Sequence, residues 1–140
     1  MSCPAEFIAA IPVLASLDID RSAEFFATSL GFTKVHVAQS AYGIVTNGPV
    51  EIHFWACSDR HIAEATSCRV QVRGIELLQR QCESYGIVHP NAPLDIKPWG
   101  TKEFAILDPE RVNDFATPCV INLLCRVVLF RAFSFPRVVG

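Results

Sequence analysis

Two glycines, Gly31 and Gly86, lie fifty-five positions apart, and each closes an amphipathic stretch that follows a short apolar run. That recurrence constrains the chain more than any other feature, because self-similarity at a fixed period marks one supersecondary unit made twice. Ahead of Gly31, Ala23, Phe26, Ala27 and Leu30 recur at helical spacing behind the acidic start Asp18 and Asp20, which predicts a helix over 20–30. Ahead of Gly86, Ile75, Leu78, Cys82 and Tyr85 share one helical face, which predicts a second helix over 74–85. Glycine just past the last periodic residue is the usual stop, since it takes the left-handed conformation without a Cβ penalty.

Around both helices the pattern changes to a period of two. A first strand is expected over 7–14, with Pro12 at an edge or crossover position because it offers no donor to a ladder. Strands over 32–38, 42–46 and 50–57 follow; Asn47-Gly48-Pro49 marks a turn between the last two, although Pro49 departs from an ideal two-residue hairpin. In the third of these, Ile52, Phe54 and Ala56 alternate with Glu51, His53, Trp55 and Cys57, so the two sets occupy opposite faces. We assign the Ile52 and Phe54 face to the helix and the His53 and Trp55 face to a wet groove. A polar connector is expected over 58–66, a strand over 68–73, a proline-rich excursion over 88–98, a strand over 102–107 and a short last strand near 112–117. Periodicity by itself supports an α+β domain with a largely antiparallel sheet.

A chain of 140 residues suits a single domain that needs no staple to hold its core. Its six cysteines, at positions 3, 57, 68, 82, 119 and 125, form no Cys-x-x-Cys pair, which argues for reduced thiols packed as small apolar residues. With no secretory pattern in 1–10, and with Arg126 and Arg131 interrupting the most apolar segment, a cytoplasmic protein is expected. Residues 1–117 carry nine Lys and Arg against fourteen Asp and Glu, while 118–140 carry three Arg and no acid. An acidic main domain attracts cations more readily than nucleic acid or anionic lipid, so neither is an expected partner. No Gly-x-Ser-x-Gly elbow, P-loop or dinucleotide fingerprint is present, which removes support for nucleophilic or phosphoryl chemistry and for a cofactor.

A binding surface remains. Trp99, Tyr42, Trp55, His53 and His36 are flat side chains with polar edges, the kind that stacks on planar heteroaromatic ligands while forming hydrogen bonds. The alternative packs Trp55 and Tyr42 into the core. Gly100 lets the backbone turn behind the Trp99 indole. The run Lys97-Pro98-Trp99-Gly100, then a strand, then Asp108-Pro109, resembles the glyoxalase, bleomycin-resistance and ring-cleaving dioxygenase superfamily, whose fold is called vicinal oxygen chelate. Within it, Pro98-Trp99-Gly100 followed by Glu103-Phe104-Ala105 looks most like the bleomycin-binding resistance proteins.

That resemblance implies two βαβββ modules, about 7–57 and 67–117, whose curled mixed sheets enclose a cleft with the helices outside. Residues 118–140 are foreign to the pattern and are expected to pack as an added helix or strand, and Glu110-Arg111-Val112-Asn113 departs from the family's usual turn after Asp-Pro. By the same resemblance Tyr42, His53 and Trp55 match positions lining the drug groove, Trp99 matches the tryptophan beside it, and His36 matches more loosely. Pro12 matches the hook of an N-terminal strand that crosses to the partner in a homodimer. Superfamily enzymes hold a divalent metal at positions that align here with Ile11, Ser67 and either Phe115 or Asp114, a set that supplies at most one ligand. The implied function is non-catalytic sequestration of bleomycin-like cationic, planar antibiotics. Two alternatives stand beside it: a metal-dependent glyoxalase or dioxygenase using Glu51, His53 or Asp114, and a binder of another small molecule.

Overall fold

The Asp18 carboxylate accepts a hydrogen bond from the Arg21 N–H at 3.1 Å, and this cap starts the helix α1, Ile19–Leu30. At the other end Gly31 takes φ 73, and the Phe32 N–H returns to the Phe26 carbonyl at 3.0 Å, closing the helix as the glycine predicts. The structure, a computed structural model, describes residues 4–107 and 120–125. Before α1 lies β1, Val13–Ser16; after it come β2, Thr33–Ala38, β3, Tyr42–Asn47, and β4, Val50–Ala56. A short α2, Arg60–Ala65, leads to β5, Cys68–Val72, α3, Ile75–Ser84, β6, Asp95–Ile96, β7, Lys102–Leu107, and β8, Val120–Cys125.

The repeat is visible in the topology. One sheet has the order β1-β4-β3-β2 and the other β5-β8-β7-β6; β1 runs parallel to β4 and β5 parallel to β8, with the remaining pairs antiparallel. The fold is α+β, built from two βαβββ units with curled sheets. Phe26 and Phe54 from the first unit share one core with Ile75, Cys82, Phe104 and Ile106 from the second. Gln81 of α3 also donates to the Ser29 carbonyl of α1 at 2.9 Å, tying the two helices together. Burial pushes the Cys82 thiol up to about 11, so it packs as a small apolar group.

Several expectations need correction. The first strand begins only at Val13, and Phe7 and Ile8 are 95% and 91% exposed, because the backbone before Pro12 joins no ladder. Pro49 does not spoil the hairpin. Asn47 pairs with Val50 across a two-residue loop in which Gly48 takes φ 58, and the fixed negative φ of proline suits the second central position of a type II′ turn. The connector over 58–66 contains α2, capped by the Asp59 carboxylate on the His61 N–H at 2.9 Å. Tyr85 lies past the end of α3 and is exposed rather than facing the core. The second sheet continues past residue 117, since β8 is its strand between β5 and β7; the strand expected near 112–117 lies outside the described residues.

Asp18 provides a measurable prediction. Its carboxyl is held below the ordinary value of 3.8, chiefly by the Arg21 backbone N–H and next by the Gln39 side chain. Removing the cap with Asp18→Ala is expected to cost about 1 kcal/mol in urea unfolding at neutral pH. A depressed carboxyl stabilises the fold fully above 3.8 and loses that contribution as pH falls through its lower folded value, so the deficit of Asp18→Ala should shrink in that acid window.

Candidate ligand-binding site

Strand register gathers the aromatic set. On β4, Ile52 and Phe54 are buried against α1 while Glu51, His53 and Trp55 point to the face away from it. Across the antiparallel pairing Tyr42 lies opposite Trp55, Ile44 opposite His53 and Thr46 opposite Glu51, and directly opposed residues share a face. The same face continues onto β1, where exposed Val13 opposes His53, whereas Ala15, opposite Trp55, is buried with Cys57 and with Ala63 of α2.

His36 reaches this face through an irregularity. The β2–β3 register shifts between Lys34 and His36, so that Lys34 opposes Val45 on the helix side whereas His36 opposes Ile44 on the open side. Had the ladder run without the extra residue, His36 would have opposed Gly43 and turned toward the helix. Four of the six predicted binding residues, His36, Tyr42, His53 and Trp55, therefore occupy one sheet face. Trp55 is 37% exposed, so neither it nor half-buried Tyr42 belongs to the helix-covered core.

Hydrogen bonds join the centre of the face. Tyr42 Oη lies 2.7 Å from His53 Nδ1, and His53 Nε2 lies 2.5 Å from Glu51 Oε1. The Tyr42 and His53 rings meet edge to face with centroids 5.2 Å apart. Glu51 and His53, two residues apart on one face of β4 as the alternation predicts, thus meet in a hydrogen bond.

Trp99 and Gly100 sit elsewhere in the fold, on the loop joining β6 to β7. There the Gly100 N–H donates to the Lys97 carbonyl at 2.9 Å, the Lys97 N–H donates to Thr101 O at 2.7 Å, and Gly100 takes φ 88, the left-handed turn its sequence predicts. The indole is 58% exposed, and no ring contact among the described residues links it to the first sheet. Pro12 borders the open face, its carbonyl accepting from the His53 N–H at 3.0 Å.

Of the aligned metal positions, Ile11 and Ser67 are surface residues, and Asp114 and Phe115 lie outside the described residues. Among the described residues, no three His, Cys, Asp or Glu side chains converge as a metal site would require. On the second sheet, Glu103 is buried and bonds Arg69 at 2.5 Å, a pairing that sequence spacing did not suggest. A groove of about 560 Å³ opens at the junction of the two units, between Phe32, Val50, Val72, Arg73 and Leu77; none of the six predicted residues lines it.

No protein-family model matches the chain. The bleomycin resistance protein of Geobacillus stearothermophilus is 33% identical to it over 117 residues, spanning 71% of this chain and 88% of the relative. The chain belongs to the bleomycin resistance protein family. Solved structures agree with this membership. The bleomycin resistance determinant encoded on transposon Tn5 superposes with a TM-score of 0.69 at 25% identity, covering 85% of this chain and 98% of its own. The bleomycin-binding protein of Streptomyces verticillus, complexed with copper(II)-bleomycin, shares the fold with a TM-score of 0.71 at 22% identity, covering 86% of this chain and 98% of its own. The family expected from Pro98-Trp99-Gly100 and Glu103-Phe104-Ala105 is thus the family found. In this bleomycin resistance family member, no helix of the described residues is long and apolar enough to cross a membrane.

Proposed function

We propose that this chain binds bleomycin-like cationic, planar antibiotics and withholds them from DNA without turning them over. The observation that carries the reading is the single open sheet face on which Trp55, Tyr42, His53 and His36 stand with Glu51, in a chain of the bleomycin resistance family. Flat rings stack on planar drug rings, and the carboxylate adds attraction for a cation. Trp99 and Gly100 lie on the second unit, away from that face within one chain, and complete the site as its outer wall when a second copy brings them to it. No reaction is needed, because a drug held stoichiometrically is already kept from its target.

The working form is a homodimer. Phe7 and Ile8 leave an apolar arm in water in a single copy, and apolar surface of that kind is normally covered. A second copy covers it, with Pro12 as the hook at which the arm departs. The cytoplasm fits the thiols: Cys57 and Cys82 are free, as a reducing compartment keeps them.

Calorimetric titration of the full chain with metal-free bleomycin tests the reading. Saturable binding, with the drug recovered chemically unchanged, is the expected result. Absence of saturation would reject the drug assignment, and recovery of a modified drug, or a divalent metal retained at a fixed ratio, would replace sequestration with catalysis.

A further inference from the structure

The hydrogen bonds on the open face of the first sheet have a direction, and the direction selects ligand chemistry. Glu51 Oε1 is 2.5 Å from His53 Nε2. An ionised carboxylate can only accept, so Nε2 carries the proton. In the neutral ring Nδ1 is then the acceptor, and the Tyr42 hydroxyl, 2.7 Å away, donates to it. The phenolic proton is thereby turned inward, and Tyr42 presents oxygen lone pairs to the groove. The second oxygen of Glu51, which no described residue hydrogen-bonds, presents the same.

Charge points the same way. Glu51 and Lys34 are the two formally charged side chains on the four strands of this sheet, and Lys34 stands on the helix side, paired with Glu24 of α1 at 2.6 Å. Among the described residues of these strands, the open face therefore carries one carboxylate and no Lys or Arg. Glu51 remains 39% exposed at its side chain and His53 17%, so the carboxylate is reachable while the ring that orients it is held.

We infer that Glu51, acting through His53 on Tyr42, makes the centre of this face an acceptor-only surface that selects cationic hydrogen-bond donors and rejects carboxylates. The matching groups are amidinium, guanidinium and ammonium carried on a planar body. This rests on the open face being the binding surface named above and goes further, by fixing which polar group of a ligand it accepts. Glu51 contributes the charge, His53 the orientation, and Tyr42 the second acceptor.

Two shape-matched probes, benzamidine and benzoate, test it by NMR titration of the full chain, read at the Trp55 indole N–H and the His53 ring nitrogens. In the free protein, the ring proton facing Glu51 is expected on Nε2 of His53, with Nδ1 accepting from Tyr42. Benzamidine should bind at least about tenfold more tightly than benzoate, the scale of one hydrogen bond to a charged group. Glu51→Gln keeps the shape, and its amide oxygen can still accept from Nε2–H, so the tautomer should hold while the preference for the cation collapses with the lost charge. Tyr42→Phe should leave the tautomer unchanged and keep the cation preference at reduced size.

A doubly protonated or Nδ1–H ring in the unmodified protein overturns the inference, as does equal binding of the two probes or binding of neither. If benzamidine is preferred but bleomycin does not bind, the drug assignment fails while the acceptor surface stands.

Discussion

Phe26→Ala is expected to remove about 3–5 kcal/mol of folding stability. Phe26 is fully buried on α1, and its ring meets Phe25, Phe32 and Phe54 at centroid separations of 5.8, 5.3 and 5.3 Å. It thus touches the helix, the start of β2 and the middle of β4 together. Deleting it leaves a void lined by rings that are already fixed by their own backbones, so collapse recovers little of the lost contact. Since the same core continues into the second unit through Ile75, Phe104 and Ile106, the loss should lower one cooperative transition and not detach a module. Urea unfolding followed by fluorescence and by far-UV circular dichroism should show coincident curves displaced to lower denaturant. A loss below about 1 kcal/mol, a value typical of surface positions, would mean that Phe26 does not organise the core.

Trp99→Ala should do the reverse, weakening bleomycin binding about 10- to 100-fold with stability nearly unchanged. The turn that carries Trp99 is held by backbone bonds among Lys97, Gly100 and Thr101, and the indole is mostly in solvent, so its removal opens no cavity. Stacking of one aromatic side chain on a planar heterocycle is worth about 1–3 kcal/mol by alanine substitution, which sets the range. Calorimetry on Trp99→Ala and Trp55→Ala separates the two walls. Should Trp55→Ala abolish binding while Trp99→Ala leaves it intact, the outer wall is removed from the site and the open sheet face carries recognition alone.

Local chemistry was legible in the sequence wherever it was strong. The span of β7 follows directly from the alternation around Phe104 and Ile106, α1 from its acidic start and closing glycine, and the two faces of β4 from a period of two. What stayed hidden depends on long-range choices. The register shift that turns His36 to the open face is a property of the β2–β3 pairing and has no local mark. The Arg69–Glu103 pair joins strands thirty-four positions apart. In α2 the residues Arg60, His61 and Glu64 mask a helix that has hardly any apolar stripe to show. The apolar stretch at 120–125 reads as a foreign tail only while its place between β5 and β7 is unknown.

In each unit the strand made last is inserted between strands made earlier: β4 divides β1 from β3, and β8 divides β5 from β7. A nascent chain therefore cannot seal either sheet by adding strands outward as they leave the ribosome. β5 must wait, without an in-sheet neighbour, until Val120–Cys125 has been synthesised. A ribosome that stopped at residue 117 would release a chain whose second sheet is split in two, so the shortest fragment able to complete this architecture must include Cys125.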